Sequence, residues 1–520
     1  MKRIIQLLLL LLPIWVSAQT APETEVVCGE TYVVTPKADA GYHFVRWSDD
    51  YPNEVRTFTA EEDISFTAIF AADDAPIIIT DDQNLSDLKD YDGDGNIEII
   101  VQPGGELKID NTAHTITTII IEADGTNSGQ IHNAGSLAAS ENIDIIMDYR
   151  LDPVHDEASP DQWYAFAVPF EVDIHEGITR KEGSPSHVYR TDFLIMEYDG
   201  EQRAATGKGW KELQGDRVYP GNFYLIGIEG TCNHWLFKKA NGTALPTATS
   251  IAVAENPSPN PQNAGINGIA NPSLEYMQTS GDLYVCFYDN VNGKFEAPML
   301  MSEATFAVGQ PFFIQTDANG TIDFDIPTAS TSNPVIRRMA GRHNSYIKLT
   351  LARENERTQG RMYISLHDDG IYDRYIIGRD FARMDNSNVT PHMWCEAYGL
   401  SLAAHGIPTP DTETVIPFNL SVPANGTYRL QMNAVEMDEY VIELLYLGEY
   451  VANLTYDEPQ SLELNKGTMS DYSLRIRRKM PTDISNTQTD KEQSTKVLMD
   501  QQLYIRHGEH IYDALGRKIK

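Results

Sequence analysis

The sequence predicts a mostly β protein with several domains, and three observations support this. Runs of alternating apolar and polar residues recur along the chain, turn residues such as Gly, Pro, Asn and Asp separate them, and no long segment keeps a helical apolar period. A chain of 520 residues is long enough for three or more domains of roughly 100–200 residues each. We therefore expect a small β module, a short β-solenoid-like segment and two β-sandwich domains, in that order.

Residues 1–18 have the layout of a secretory signal peptide. Two basic residues precede an apolar run over residues 4–16, and small side chains lead to a cleavage site after Ala18. The run is shorter than the roughly 20 apolar residues that a membrane-spanning helix needs. We expect an exported protein that begins at Gln19 after cleavage, has no transmembrane segment, and is secreted or held at the cell surface or outer membrane.

The composition disfavours some partners. Lys and Arg number 40 against 75 Asp and Glu, which gives a formal net charge of −35 at pH 7. So acidic a protein repels phosphate backbones and anionic lipids, so we expect no nucleic-acid partner, whereas divalent cations are compatible with it. The four cysteines, Cys28, Cys232, Cys286 and Cys395, allow either two disulfides, with Cys232 and Cys286 as one candidate pair, or buried thiols.

Residues 26–72 contain an aromatic cluster between two strand-like runs, "TYVVTP" and "ISFTAIF". Gly41 supplies a turn before Tyr42, Phe44 and Trp47. The "GYHFVRW" segment and its closing "FTAIF" strand resemble the internalin B-repeat-like family of small extracellular modules. That resemblance implies a spacer or adhesive unit rather than an enzyme. We expect the three aromatic side chains in the module core, with a sugar-binding platform as the alternative.

Residues 77–150 carry short β-branched runs separated by Gly- and Asn-rich corners. The corners recur every ~10 residues, which is the spacing of rungs in a parallel β-solenoid, where each coil stacks its apolar face on its neighbour. A simple antiparallel meander is the alternative.

The stretch "DYDGDGNIE" at 90–98 has the pattern of a calcium-binding loop. Carboxylates alternate at Asp90, Asp92 and Asp94, and Gly95 allows the loop to bend. Hard oxygen ligands at alternate positions suit Ca²⁺. The twelfth position of such a loop holds Val101 instead of a bidentate Glu, so Glu98 or Glu106 would have to substitute. The alternative is an acidic turn that leads into the first solenoid strand.

Two larger blocks follow, at 160–327 and 335–478, and both predict β-sandwich architecture. Within the first, "DRVYPGNFYLIGIEG" (216–230) echoes "ATFAVGQPFFIQTDANG" (304–320), since both have a Gly-centred turn before an aromatic strand. Segments such as "DQWYAFAVPFEVDI" and "VGQPFFIQT" resemble the β-sandwich modules of large exported proteins from Gram-negative gut and oral anaerobes. The resemblance concerns fold and location rather than activity.

The end of the chain differs from the rest. Residues 481–496 are polar and predict a flexible linker, and 497–520 predict a small basic hairpin. The segment "LYIRHGEHIYDALGRKIK" resembles the type A sorting domain of type IX secretion substrates, which implies the secretion machinery as a partner. The matching residues are Tyr504, Gly508, Tyr512, Gly516, Arg517 and Lys518. The alternative is an edge hairpin docked on the preceding sandwich.

No catalytic residue can be named from the sequence, because it lacks a G-x-S-x-G elbow, an H-E-x-x-H motif, a P-loop and paired zinc cysteines. We therefore expect a non-enzymatic adhesin or structural protein at the surface of a Gram-negative bacterium, with a host protein, matrix protein or glycan as ligand. A carbohydrate-active protein, either a glycan-binding module or a glycoside hydrolase, is the alternative. The candidates for stacking on sugar are Trp163, Trp210, Trp235 and Trp394.

Overall fold

The computed structural model of the chain confirms the mostly β class. Among the residues that it describes, the only α-helix is α1 (Gly200–Thr206), and short 3-10 turns occur at Leu85–Asp87, Ala134–Ser136 and Met301–Glu303. In this described part, no helix is long and apolar enough to span a membrane. The structure describes residues 3–5, 24–26, 29–49, 51, 54–59, 66–91, 96–110, 115–124, 127–137, 142–150, 161–180, 188–229, 234–245, 249–279, 283–290, 294–325, 345–353, 359–384, 390–456, 458–479, 495–499, 502–507 and 510–512.

The N-terminal strands form a small two-layered module. They are β1 (Arg3–Ile5), which lies in the predicted signal peptide, β2 (Thr24–Val26), β3 (Thr31–Val34), β4 (Tyr42–Trp47), β5 (Arg56–Thr59) and β6 (Ala68–Ala72). β1 pairs with β2, β3 with β5, and β4 with β6, all antiparallel. Trp47 and Phe66 are buried between the two sheets that β3 to β6 form. Gly41 has a φ of +82°, which a turn into β4 requires and which glycine adopts without strain.

Residues 77–150 form a parallel β-solenoid. One sheet contains β7 (Ile77–Ile79), β9 (Asn96–Val101), β11 (Thr115–Ala123) and β13 (Asp144–Arg150), and the other contains β8 (Asp82–Asn84), β10 (Glu106–Lys108) and β12 (Gln130–His132). All pairings between the described strands of the solenoid are parallel, so the alternative of a meander is wrong. Ile79, Val101, Ile121 and Met147 occupy matched positions on successive coils and are at most 1% exposed, which buries one continuous apolar ladder.

Two units follow, and each is built on four strands with the same pairing order. The first contains β14 (Asp161–Phe166), β17 (Phe193–Tyr198), β18 (Trp210–Glu212) and β20 (Tyr224–Glu229), and the second contains β23 (Ile266–Ala270), β24 (Tyr284–Asp289), β25 (Lys294–Phe295) and β27 (Pro311–Gln315). In each unit the fourth strand lies between the first and the second, and the third strand pairs with the second. The two sequence segments that echo each other form the equivalent strands β20 and β27.

Seven shorter strands complete the described part of this region, and one of them pairs with β24 as a fifth strand of the second unit's sheet. They are β15 (Val172–Asp173), β16 (Ile178–Arg180), β19 (Arg217–Val218), β21 (His234–Lys238), β22 (Ser250–Val253), β26 (Met299–Leu300) and β28 (Gly320–Asp323). β21 pairs antiparallel with the last solenoid strand, β13, and β16 pairs with β21. The 160–327 block is therefore not a separate sandwich, because two of its strands extend the solenoid sheet and cover an edge that would otherwise expose unpaired backbone groups.

Residues 345–479 form one curled, nearly closed sheet of eleven strands. The strands are β29 (Tyr346–Arg353), β30 (Gln359–His367), β31 (Phe381–Ala382), β32 (His392–Ala397), β33 (Leu400–Pro408), β34 (Glu413–Val422), β35 (Gly426–Val435), β36 (Tyr440–Tyr446), β37 (Glu449–Asn453), β38 (Gln460–Leu464) and β39 (Gly467–Arg478). Two layers face each other across an apolar core, as a sandwich requires. They are continuous because β32 pairs with both β33 and β34.

The tail forms a sheet of its own. β40 (Thr495–Met499), β41 (Gln502–His507) and β42 (His510–Tyr512) are antiparallel, so the predicted hairpin has a third strand, which begins inside the predicted linker. Within the described residues, these strands pair only with one another and not with the edge of the preceding sheet. Residues 481–494 lie outside the described residues.

Candidate functional site

A pocket of about 110 Å³ lies where the two units meet the C-terminal sheet. The first unit and its helix α1 contribute Tyr198, Arg203 and Trp210, and the second unit with its preceding loop contributes Gln262, Phe295 and Phe313. Ala382, Arg383 and Met384 of the C-terminal domain complete the lining. The pocket therefore combines aromatic rings with two guanidinium groups.

Helix α1 and the loop after it fix the position of Trp210. Asp199 caps the helix, since its Oδ1 accepts a hydrogen bond of 2.9 Å from the backbone N–H of Gln202. The side-chain amide of Gln202 in turn donates to the backbone oxygens of Lys208 and Trp210, at 3.1 and 3.4 Å. The loop that leads into β18 is thereby tied to the helix that carries Arg203.

Ring packing holds the aromatic wall. The Trp210 ring packs edge-on against Tyr198 and Phe223, with centroids 5.3 and 5.2 Å apart, and Tyr198 lies 4.5 Å from Phe313. A Cβ atom at Gly209 or Gly268 would overlap the Tyr198 ring, so glycine is required at both positions. Burial raises the pKa of Tyr198 well above its usual value, and its hydroxyl has no hydrogen-bond partner among the described residues. These contacts make the wall rigid before any ligand binds.

Two arginines supply the positive charge. Arg203 Nε donates to Asn263 Oδ1 at 2.9 Å, and no carboxylate of the described part of the chain forms an ion pair with this guanidinium. The guanidinium of Arg383 lies 4.2 Å from the centroid of the Trp394 ring, a cation–π contact that orients it. Arg203 therefore presents its terminal nitrogens without a charged partner, in a protein with a large excess of acidic residues.

The four tryptophans predicted to stack on sugar do not share one surface. Trp235 is fully buried and Trp394 is 7% exposed, so neither can present a ring face to an external glycan, and the prediction is wrong for both. Trp163 is half-buried and covers the backbone of Gly227, opposite it on β20. Trp210 alone lines the pocket.

The aromatic residues of the N-terminal module pack into its core. The Phe44 and Trp47 rings lie 5.5 Å apart, and Trp47 is fully buried. Tyr42 is partly buried on the same strand. Trp47 therefore offers no ring face to a sugar, and the alternative of a platform that includes it is wrong.

The predicted calcium loop is described only at its ends. Asp90, its first carboxylate, is half-buried, and Glu98 is exposed on β9, whereas Asp92 and Asp94 lie outside the described residues. Val101 is fully buried in the solenoid, and Glu106 is buried on the other sheet, where Gln130 donates to it at 3.1 Å. The expected acidic turn would lead into the first solenoid strand, but this loop leads into β9, which is the second strand of its sheet, after β7. No group of three or more His, Cys, Asp or Glu side chains in the described ranges could hold a metal ion, so calcium stays a prediction.

The predicted sorting residues are placed only in part. Tyr504 lies on β41 and Tyr512 on β42, and the register pairs Ile505 with Tyr512. Gly508, Gly516, Arg517 and Lys518 lie outside the described residues.

Two cysteines carry buried thiols. Cys286 Sγ donates to the backbone oxygen of Glu296 at 3.0 Å, and Cys395 is buried in the C-terminal core. Burial raises the pKa of Cys395 to about 12, so its thiol is protonated and unreactive at neutral pH. Cys28 and Cys232 lie outside the described residues.

The most enzyme-like arrangement is a buried Asp–His pair on the C-terminal sheet. His405 Nδ1 lies 2.9 Å from Asp380 Oδ1, as in many acid–base dyads. Asp380 also accepts hydrogen bonds from the backbone N–H groups of Gly406 and Ile376, at 3.0 and 2.9 Å. Both carboxylate oxygens thus accept hydrogen bonds that hold the loop before β31 against β33, which favours a structural role.

Polar contacts across the domain junctions are a feature that the sequence analysis did not identify. Glu275 of the second unit lies 2.7 Å from His132 of the solenoid. Glu303 accepts hydrogen bonds from Tyr346, Lys348 and Tyr363 of the C-terminal sheet, at 2.9, 2.7 and 3.0 Å. No local motif marks these residues, because their partners are distant in sequence. The sequence signal that could have found them is a single acidic residue in an otherwise apolar stretch, together with a strand elsewhere in the chain that carries tyrosines.

Comparison of the chain with protein-family models, curated proteins and solved structures finds no match in any of the three.

Proposed function

We propose that this chain is a secreted or cell-surface, non-enzymatic adhesin or structural protein of a Gram-negative bacterium. The observation that carries the proposal is that, within the described residues, buried and half-buried hydrogen bonds join the solenoid to the second unit and the second unit to the C-terminal sheet. The Tyr149 hydroxyl at the end of the solenoid lies 2.5 Å from the backbone oxygen of Gly309, and Glu303 binds the C-terminal sheet. A mostly β body whose domains contact one another in this way suits a protein that holds a binding surface away from a cell.

A tyrosine-rich surface on the C-terminal sheet supports the adhesive role. It consists of the β36–β37 hairpin and the residues after it, where Tyr446, Leu447, Tyr450, Val451 and Tyr456 are 42%, 68%, 55%, 39% and 61% exposed. β37 is also an edge strand. Exposed apolar side chains concentrated in one hairpin are typical of interaction surfaces, and tyrosine provides large contact area at low entropic cost.

Adhesion can be tested with beads that carry the purified chain, applied to epithelial cells and to immobilised matrix proteins. We expect saturable binding, and we expect the double substitution Tyr450→Ala and Tyr456→Ala to weaken it by roughly tenfold, as for interface tyrosines elsewhere. Val33→Ser, at an exposed site on β3, is the matched control and should leave binding unchanged. Beads that bind no better than uncoated beads would contradict the adhesive role.

The second candidate is a carbohydrate-active protein, and the Trp210 pocket is the observation that favours it. Aromatic walls with a few polar groups are typical of glycan sites. Binding to a glycan array without release of reducing sugar would fit a lectin-like adhesin. Turnover of any polysaccharide would replace the non-enzymatic proposal by a hydrolase.

Sorting by the tail is proposed on the sequence resemblance and is supported by the separate tail sheet. Deletion of residues 495–520 is expected to leave the folded protein in the periplasm, because no strand of the described body pairs with β40, β41 or β42. Cell fractionation measures the location, and thermal unfolding of the same protein measures the fold. Normal surface yield of the truncated chain would refute a sorting role, whereas a lowered melting temperature would favour the docked hairpin.

A further inference from the structure

We propose that the Trp210 pocket binds a terminal acidic sugar, that is, a pyranose with a carboxylate such as a uronic or sialic acid. The inference deepens the adhesive role proposed above and rests on it, since it names the ligand class that this part of the surface would recognise. Three features of the pocket carry it, namely its charge, its aromatic wall and its size.

The charge favours an anion. Arg203 lines the pocket, its Nε is engaged by Asn263, and no described carboxylate pairs with it. The donors left to Arg203 are its terminal amino groups, and a guanidinium edge matches the two oxygens of a carboxylate. Arg383 lines the same pocket. An anionic ligand in the pocket would be attracted by the Arg203 guanidinium, which no described carboxylate neutralises.

The aromatic wall favours a ring with an apolar face. Trp210, Phe295 and Phe313 line the pocket together with Tyr198, and Trp210 is held by edge-on contacts with its neighbours. The C–H face of a pyranose can cover such a ring, and the side-chain amide of Gln262 can both donate to and accept from sugar hydroxyls. An acidic peptide side chain offers the carboxylate but no ring to cover the wall.

The size favours a terminal residue. A pocket of about 110 Å³ has room for no more than one sugar ring. A sugar in the middle of a polysaccharide would need room for the chain on both sides. The end of a host or bacterial glycan that carries an acidic cap would fit.

The test is binding of methyl β-glucuronide, methyl sialoside and methyl β-glucoside to the full chain, measured by calorimetry and by saturation-transfer NMR. We expect the two acids to bind and the neutral glucoside to bind at least about tenfold more weakly. Arg203→Met should weaken acid binding by roughly tenfold to a hundredfold without affecting the glucoside, whereas Trp210→Ala should weaken both. Arg217→Met, which removes a surface arginine paired with Glu171, is the matched control and should change neither.

The sugar proposal is wrong if the glucoside binds as tightly as the glucuronide, or if Arg203→Met retains full affinity for the acids. It is also wrong if N-acetylphenylalanine, which has a carboxylate and an aromatic face but no hydroxyls, binds as tightly as the glucuronide, since the ligand would then be a peptide terminus. Should Arg203→Met lower the melting temperature, Arg203→Lys replaces it and is expected to keep only part of the affinity.

These measurements separate this inference from the proposed function. Cell and matrix adhesion without binding of any acidic sugar would refute the sugar site and leave the adhesive role. Sugar binding without adhesion would refute the adhesive role alone.

Discussion

Replacing Trp47 by alanine is expected to unfold the N-terminal module while the solenoid and the later domains stay folded. Trp47 is fully buried, and its ring contacts Phe66 edge-on at 5.2 Å. Truncation of a buried tryptophan costs about 3–5 kcal/mol, and a module of fewer than ~50 residues has little more stability than that. The loss of one side chain should therefore remove the whole core.

Hydrogen exchange measures this outcome locally. Amides of β4 and β6 should lose their protection, whereas those of β9 and β11 should keep it, because the solenoid has its own apolar ladder. Val33→Ala, at a site that is 65% exposed on β3, is the matched control and should change stability by less than about 0.5 kcal/mol. Native protection of β4 and β6 in the Trp47 variant would mean that contacts outside the module hold it. The stack of His43 on Tyr91, with ring centroids 3.5 Å apart, is the first such contact to examine.

The solenoid could be predicted from sequence because its signal is local and periodic. Each β-branched run meets the equivalent run of the next coil in register, so Ile99, Ile119 and Ile145 align without any distant information. The strand class of the later domains was predictable for the same reason, since alternation and turn residues act over a few positions.

Which face of a strand is covered could not be predicted. Trp235 and Phe237 alternate on β21 as they would on a half-exposed strand, yet both are fully buried. The pairing of β21 with β13 places their side chains in the apolar core of the solenoid. Trp210 also lies on a short strand, but its side chain lines a pocket and is only partly buried. The difference depends on which domain packs against the strand, and that information is spread over distant parts of the chain.

The pocket and the domain junctions could not be predicted from the sequence either, because their residues come together only when distant parts of the chain pack. Arg203 and Gln262 acquire a common role only through the packing of two units and a third domain. Glu303 lies in "MSEATF", where nothing distinguishes it from other surface acids, and its three partners follow it by 43, 45 and 60 residues.

Replacing Glu303 by alanine is expected to weaken the junction between the second unit and the C-terminal sheet. The loss of unfolding free energy should exceed the loss caused by removing an exposed ion pair. Lys348 donates to Glu303 at 2.7 Å, and Tyr363, which is fully buried, donates to it at 3.0 Å. Burial raises the pKa of Tyr363, so its hydroxyl stays a neutral donor and needs an acceptor. Removing one partner from a partly buried ion pair with hydrogen bonds costs about 3 kcal/mol, because the remaining groups lose their acceptor.

Urea unfolding and hydrogen exchange at β29 and β30 measure the effect, and the chain offers a matched control on the same sheet. Glu439 forms an ion pair with Arg478, which donates a hydrogen bond of 2.8 Å to its carboxylate, but both side chains are largely exposed, so Glu439→Ala should change little. Glu303→Gln keeps one acceptor oxygen, so its loss of unfolding free energy should fall between those of Glu303→Ala and Glu439→Ala. In the double variant Glu303→Ala with Lys348→Met, part of the loss should be recovered, since the ammonium that lacked a partner is gone. If Glu303→Ala proves no more destabilising than Glu439→Ala, the junction is held by its apolar contacts, and the carboxylate is not what joins the two domains.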